Sequence, residues 1–95
     1  MYLGAFHFDG PTDTLLESYE KLFAGFPAEN IELHVAVVRD GGITVYDACP
    51  DQPTFEAFAA SEEFRGALTA AGLPEPRVEG TGEVHRALLR QPVTA

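Results

Sequence analysis

Leu15, Leu16, Tyr19, Leu22, Phe23 and Phe26 recur at i, i+1, i+4, i+7, i+8 and i+11. That is one apolar stripe of a 3.6-residue period, and it predicts a helix within "TDTLLESYEKLFAGFP". Thr12 or Asp13 is placed to cap its start, and Gly25 and Pro27 to end it. Before it, "YLGAFHF" reads as a strand stopped by Asp9-Gly10-Pro11. After it, residues 31–38 and 43–49 are β-branched runs joined by "RDGG", whose Asp-Gly pair supplies the positive φ of a tight hairpin turn. Asp51, Pro53 and Thr54 open a second helical region with Phe55 and Phe58 on one face. Its pattern slips at Ser61 and restarts in "SEEFRGALTAAG", so a break is expected near 60–61. "PRVEGTGEVHRALL" reads as a last strand, loosened by Gly80 and Gly82.

The predicted order is β-α-β-β-α-β. Its simplest packing is α+β: a ferredoxin-like, four-stranded antiparallel sheet with the helices on one face. The expected organisation is a single domain over residues 1–90 and a disordered tail over 91–95.

With a two-residue turn at Asp40-Gly41, hairpin residues whose numbers sum to 81 lie opposite one another. One face then carries Leu33, Val35, Val37, Thr44, Tyr46 and Ala48, and the other His34, Ala36, Val38, Ile43, Val45, Asp47 and Cys49. The first strand splits likewise, with Tyr2, Phe6 and Phe8 against Leu3, Ala5 and His7. Both faces read as largely apolar, yet the helices can cover only one. The other expects a partner, most simply a second copy in a two-fold dimer.

The chain carries a formal charge of −9 with only six Lys plus Arg, which argues against nucleic acid and anionic membranes as partners. A single cysteine, Cys49, rules out an intrachain disulfide and CxxC metal frames. "MYLGAFHFDG" has no basic region preceding an apolar one, and no apolar run approaches the ~20 residues of a membrane span. A cytoplasmic location is expected.

His34 and Asp47 interrupt two apolar runs and face each other in this register. A carboxylate fixes the tautomer of an imidazole and raises its basicity, which prepares a general base; the same pair also serves as a buried polar contact whose members satisfy each other. His7, His34 and His85 with Asp47 form a candidate metal set by ligand type. It needs strong sheet curvature, because the first and second strands lie about 9–10 Å apart across the third. Tyr46, Tyr19 and Tyr2 could donate a phenolic proton, and the seven Phe either line an apolar pocket or form the core. Cys49 has no basic neighbour in sequence and reads as a buried thiol.

Taken together, "LHVAVVRDGGITVYDAC", "TFEAFAASEEFRGAL", "AGLPEP" and "GEVHRALL" resemble the dimeric α/β-barrel superfamily, especially its antibiotic-biosynthesis-monooxygenase-like branch. His34, Asp47, Phe55, Phe58 and His85 match its recurrent positions, whereas Cys49 stands where such proteins commonly carry Trp. The resemblance implies a homodimeric barrel that binds a small apolar molecule, aromatic or polyketide-like, between sheet and helices. The catalytic candidates are then His34, Asp47 and His85, and the ligand-binding ones Phe55 and Phe58 at matching positions, with His7, Tyr46 and Cys49 added from the reading of the residues themselves. No cofactor is expected. The implied chemistry is cofactor-independent oxygenation, cyclisation or isomerisation. A non-catalytic ligand-binding or structural homodimer is the competing reading, and a metal- or haem-binding protein using His7, His34 and His85 is a third. Fold resemblance transfers architecture better than chemistry.

Overall fold

The computed structural model describes residues 1–26 and 31–93. Its elements are β1 (Tyr2–Asp9), α1 (Thr12–Ala24), β2 (Leu33–Arg39), β3 (Gly42–Cys49), α2 (Gln52–Ala60), α3 (Glu62–Ala71) and β4 (Arg77–Glu83). The four strands form one antiparallel sheet in the order β2-β3-β1-β4, the ferredoxin-like arrangement.

The hairpin register agrees with the expectation, from Leu33↔Ala48 through His34↔Asp47 to Arg39↔Gly42. Asp40-Gly41 forms the two-residue turn, with Gly41 at φ 80°. Ser61 is the break between the second and third helices. Its hydroxyl donates to the Phe58 carbonyl at 2.8 Å and accepts from the Phe64 N–H at 3.2 Å, closing α2 and opening α3. Asp51 caps α2 by accepting from the Thr54 N–H at 2.9 Å. Gly72, at φ 85°, closes α3 in the left-handed conformation.

Two expectations need correction, and a third falls on a residue that is not described. Neither Thr12 nor Asp13 caps α1; Pro11 stands at that position without a side-chain bond, and Asp13 instead faces the positive end of the helix dipole from the first turn. Pro27 lies outside the described residues. The last strand stops at Glu83 rather than running to residue 89. Its pairing slips by one residue between Leu3 and Gly4, and after the Val84 N–H donates to the Met1 carbonyl at 2.8 Å, β1 offers no further partner. Residues 85–93 leave the sheet and are exposed.

The helices cover the face of Tyr2, Phe6, Phe8, Ile43, Val45, Asp47 and Cys49, all buried. Phe55 packs so closely on β1 that a methyl group at Gly4 would overlap its ring. Among the described residues the opposite face carries no helix, and it is two-sided in character. Towards the chain ends it is apolar: Leu3, Ala5, Leu33, Val35, Tyr46 and Ala48. Towards the hairpin turn it is polar, which the expectation of an oily face missed. There Arg39 Nε donates to Thr44 Oγ1 at 3.0 Å, Thr44 Oγ1 lies 3.0 Å from His7 Nδ1, and His7 Nε2 lies 2.8 Å from Glu79 Oε1. Asp9 joins Arg39 to Arg77 beside this chain of contacts.

Gly4→Ala is expected to lower unfolding free energy by about 1–3 kcal/mol through overpacking against Phe55. Gly66→Ala, in open space on α3, should raise it by up to about 1 kcal/mol through helix propensity. Urea denaturation of both variants measures the contrast.

Candidate functional site

A buried carboxylate in an apolar sheet needs a partner, and β2 supplies one directly across the ladder. Asp47, 2% exposed on the central strand β3, accepts from His34 Nδ1 at 2.5 Å. His34 Nε2 in turn lies 2.6 Å from the Tyr19 hydroxyl on α1. Because a carboxylate accepts, Nδ1 carries the ring proton; the Nε2 lone pair then receives the Tyr19 O–H. The proton order is Tyr19 O–H to His34 to Asp47. Among the described residues, no buried side-chain nitrogen or oxygen lacks a partner.

The α1 stripe that buries Tyr19 also brings Phe23 and Phe26 over the imidazole. The Phe23 ring stacks on His34 at 5.1 Å between centroids, Phe26 tilts against it at 5.8 Å, and Tyr19 lies nearly parallel at 5.9 Å. With Phe6, Phe8, Leu22, Val45 and Phe64 these groups enclose a cavity of about 10 Å³, room for one water at most. Burial, reinforced by the charges of Glu20 and Asp47, pushes the Tyr19 phenol up to about 12. It therefore stays protonated at neutral pH.

The remaining candidates lie elsewhere. His7 and Tyr46 are on the open face, on the far side of the sheet from His34. Adjacency of strands does not amount to adjacency of side chains when their register parity differs. His85 lies beyond the end of β4 and is exposed, so it does not join His34 and Asp47. Among the described residues, no three His, Cys, Asp or Glu side chains are grouped to hold a metal ion, and His7, His34 and His85 do not converge. Phe55 is core, packed against Tyr2 and Phe6. Phe58 borders the site, meeting Phe26 at 5.9 Å and Phe64 at 4.6 Å. Cys49 is buried, and burial, with Asp47, Glu32 and Asp51 nearby, pushes its thiol up, away from nucleophilic character. Two open hollows of about 230 and 340 Å³ flank Val78 on β4 and share Ala59 and Arg65, apart from the histidine.

Sequence reasoning paired His34 with Asp47 and named Tyr19 and the phenylalanines as candidates, but did not join them to that pair. The signal was present: Tyr19, Phe23 and Phe26 share the helical stripe that must face the sheet.

No family model matches this sequence, and no curated protein matches it. The fold is similar to that of a solved structure, a putative antibiotic biosynthesis monooxygenase from Deinococcus radiodurans. The TM-score is 0.62 at 10% identity, over 97% of this chain and 100% of that one. At that identity the likeness is one of fold.

A phenol held near 12 in the folded chain but near 10 in the unfolded chain makes the folded state bind its proton more tightly. That stability is fully present below about pH 10 and is lost as pH rises towards 12. Urea denaturation at about pH 8 and about pH 11 should show a smaller alkaline loss for Tyr19→Phe than for wild type; equal losses would contradict this.

Proposed function

We propose that the protein is a homodimer that binds a small apolar molecule, aromatic or polyketide-like, against the rings around His34. There it takes a proton from that molecule with the base pair His34–Asp47. The observation that carries this reading is the hydrogen-bonded file Asp47–His34–Tyr19 inside a wall of phenylalanines. A carboxylate behind an imidazole stabilises the imidazolium formed on proton uptake, and the apolar wall strengthens that interaction by excluding water. Proton removal next to a carbonyl is a common opening step for cofactor-independent oxygenation, cyclisation and isomerisation. The fold likeness to a putative antibiotic biosynthesis monooxygenase is in keeping with this class. A ligand enters by displacing aromatic rings, and Phe23, 48% exposed, has the least contact to lose.

The second reading rests on the size of the cavity. At about 10 Å³ the space beside His34 is filled by the protein's own rings, as it would be in a non-catalytic dimer where the polar file only satisfies Asp47.

The open sheet face supports the homodimer reading. Val35, 39% exposed, lies there beside Leu3, Leu33 and Tyr46, and Val37, 40% exposed, stands opposite Thr44 where the apolar half meets the polar one. Self-association through this apolar half buries them and leaves the polar half towards the hairpin turn at the margin.

Two outcomes check this reading. 2-Indanone, a small aromatic ketone with acidic CH₂ groups, should exchange those protons for solvent deuterium faster with protein than in buffer. His34→Ala should lower the protein-dependent rate by about 10²-fold or more while remaining folded; an unchanged rate contradicts the base assignment. Sedimentation should give a dimer, with Val35→Asp shifting it to monomer; a wild-type monomer at all concentrations contradicts the dimer.

A further inference from the structure

From the way the file is closed at its outer end, and resting on the proton-transfer reading above, we infer that Tyr19 is the catalytic residue that meets the substrate. His34 and Asp47 act through it as positioning residues. Both nitrogens of His34 are engaged, Nδ1 by Asp47 at 2.5 Å and Nε2 by Tyr19 at 2.6 Å. Asp47 is buried beneath the imidazole. A substrate proton thus has no open lone pair to reach on the imidazole. The Tyr19 oxygen, which donates to Nε2, keeps lone pairs, and Tyr19 is among the residues that line the small, largely apolar cavity beside His34.

The step balances without a redox partner. The substrate C–H bond breaks and its electron pair stays on the substrate as an enolate. The proton passes to the Tyr19 oxygen as the Tyr19 proton passes to His34 Nε2. One O–H bond forms as another breaks, one N–H bond forms, and the imidazolium is held by the Asp47 carboxylate. Running the sequence backwards at a second carbon gives isomerisation.

The protonated state of the phenol is in keeping with this division of labour. A group pushed up to about 12 is not a standing phenolate at neutral pH, so it accepts a proton only by giving up its own. His34 is the base that takes it. The aromatic wall matches the same substrate class, because a planar ketone replacing Phe23 would lie face to face with the imidazole and beside the phenol.

The test uses 2-indanone deuterium exchange with wild type, Tyr19→Phe, His34→Ala and the double variant. Tyr19→Phe keeps the ring and its packing. It should lower kcat for exchange about 10²-fold or more with KM little changed. The double variant should be no slower than either single one, as groups acting in one file are non-additive. Independently of activity, ¹⁵N NMR should find His34 protonated at Nδ1, with an Nε2 shift that moves in Tyr19→Phe. If Tyr19→Phe exchanges as fast as wild type or faster, the phenol merely caps the base; this inference falls and the preceding reading stands. A proton found on Nε2 reverses the file and also overturns the inference. If wild type leaves exchange at the buffer rate, both fall together.

Discussion

A carboxylate sealed into an apolar sheet face is the constraint on which this site depends. Asp47 stands on β3, next to the middle of the sheet, with Val45 and Cys49 as its neighbours on that face. A buried carboxylate left without a partner carries a desolvation cost of several kcal/mol. The antiparallel ladder puts His34 opposite it, and the imidazole both donates to it and turns its second nitrogen towards α1. The helix answers with a phenol rather than another phenylalanine at position 19. One buried charge therefore organises three elements, β3, β2 and α1, around a single direction of proton donation.

The rest of the architecture holds that file in place. The hairpin register decides whether residues 34 and 47 meet at all, and it is set by the tight Asp40-Gly41 turn. The stripe of α1 decides that Tyr19, Phe23 and Phe26 come down on the same imidazole. Ser61 ends α2 and starts α3 with one hydroxyl, which lets Phe58 and Phe64 approach from two differently directed helices and close the aromatic wall. On the other side of the sheet a second file, Arg39 to Thr44 to His7 to Glu79, satisfies its own members and divides the open face into polar and apolar halves. Only the apolar half is a surface that gains from being covered.

Much of this was legible in the sequence because it depends on local chemistry. Asp-Gly between β-branched runs sets the turn, the turn sets the register, and the register pairs His34 with Asp47. The Ser61 break was visible as a slip in the apolar period. What failed was whatever depends on three-dimensional sidedness or on where pairing stops. His7 lies on the strand next to Asp47, yet its parity sends it to the opposite face. His85 sits in a run that reads as strand, but β1 has no residue left to pair with it, and the run leaves the sheet at Glu83. Phe55, named as a pocket residue by its type, packs over Gly4 away from His34 and borders the hollow beside Val78 instead. Tyr19 was legible as one member of a helical stripe; its bond to His34 depends on how α1 lies across the sheet, which no local pattern encodes.

The most direct test of the central claim is the proton shared by His34 and Asp47, observed by one-dimensional NMR in water. The account predicts a far-downfield imidazole N–H resonance at neutral pH that disappears in Asp47→Ala and persists, displaced, in Tyr19→Phe. Absence of that resonance from the folded wild-type protein, or its survival without Asp47, would contradict the account.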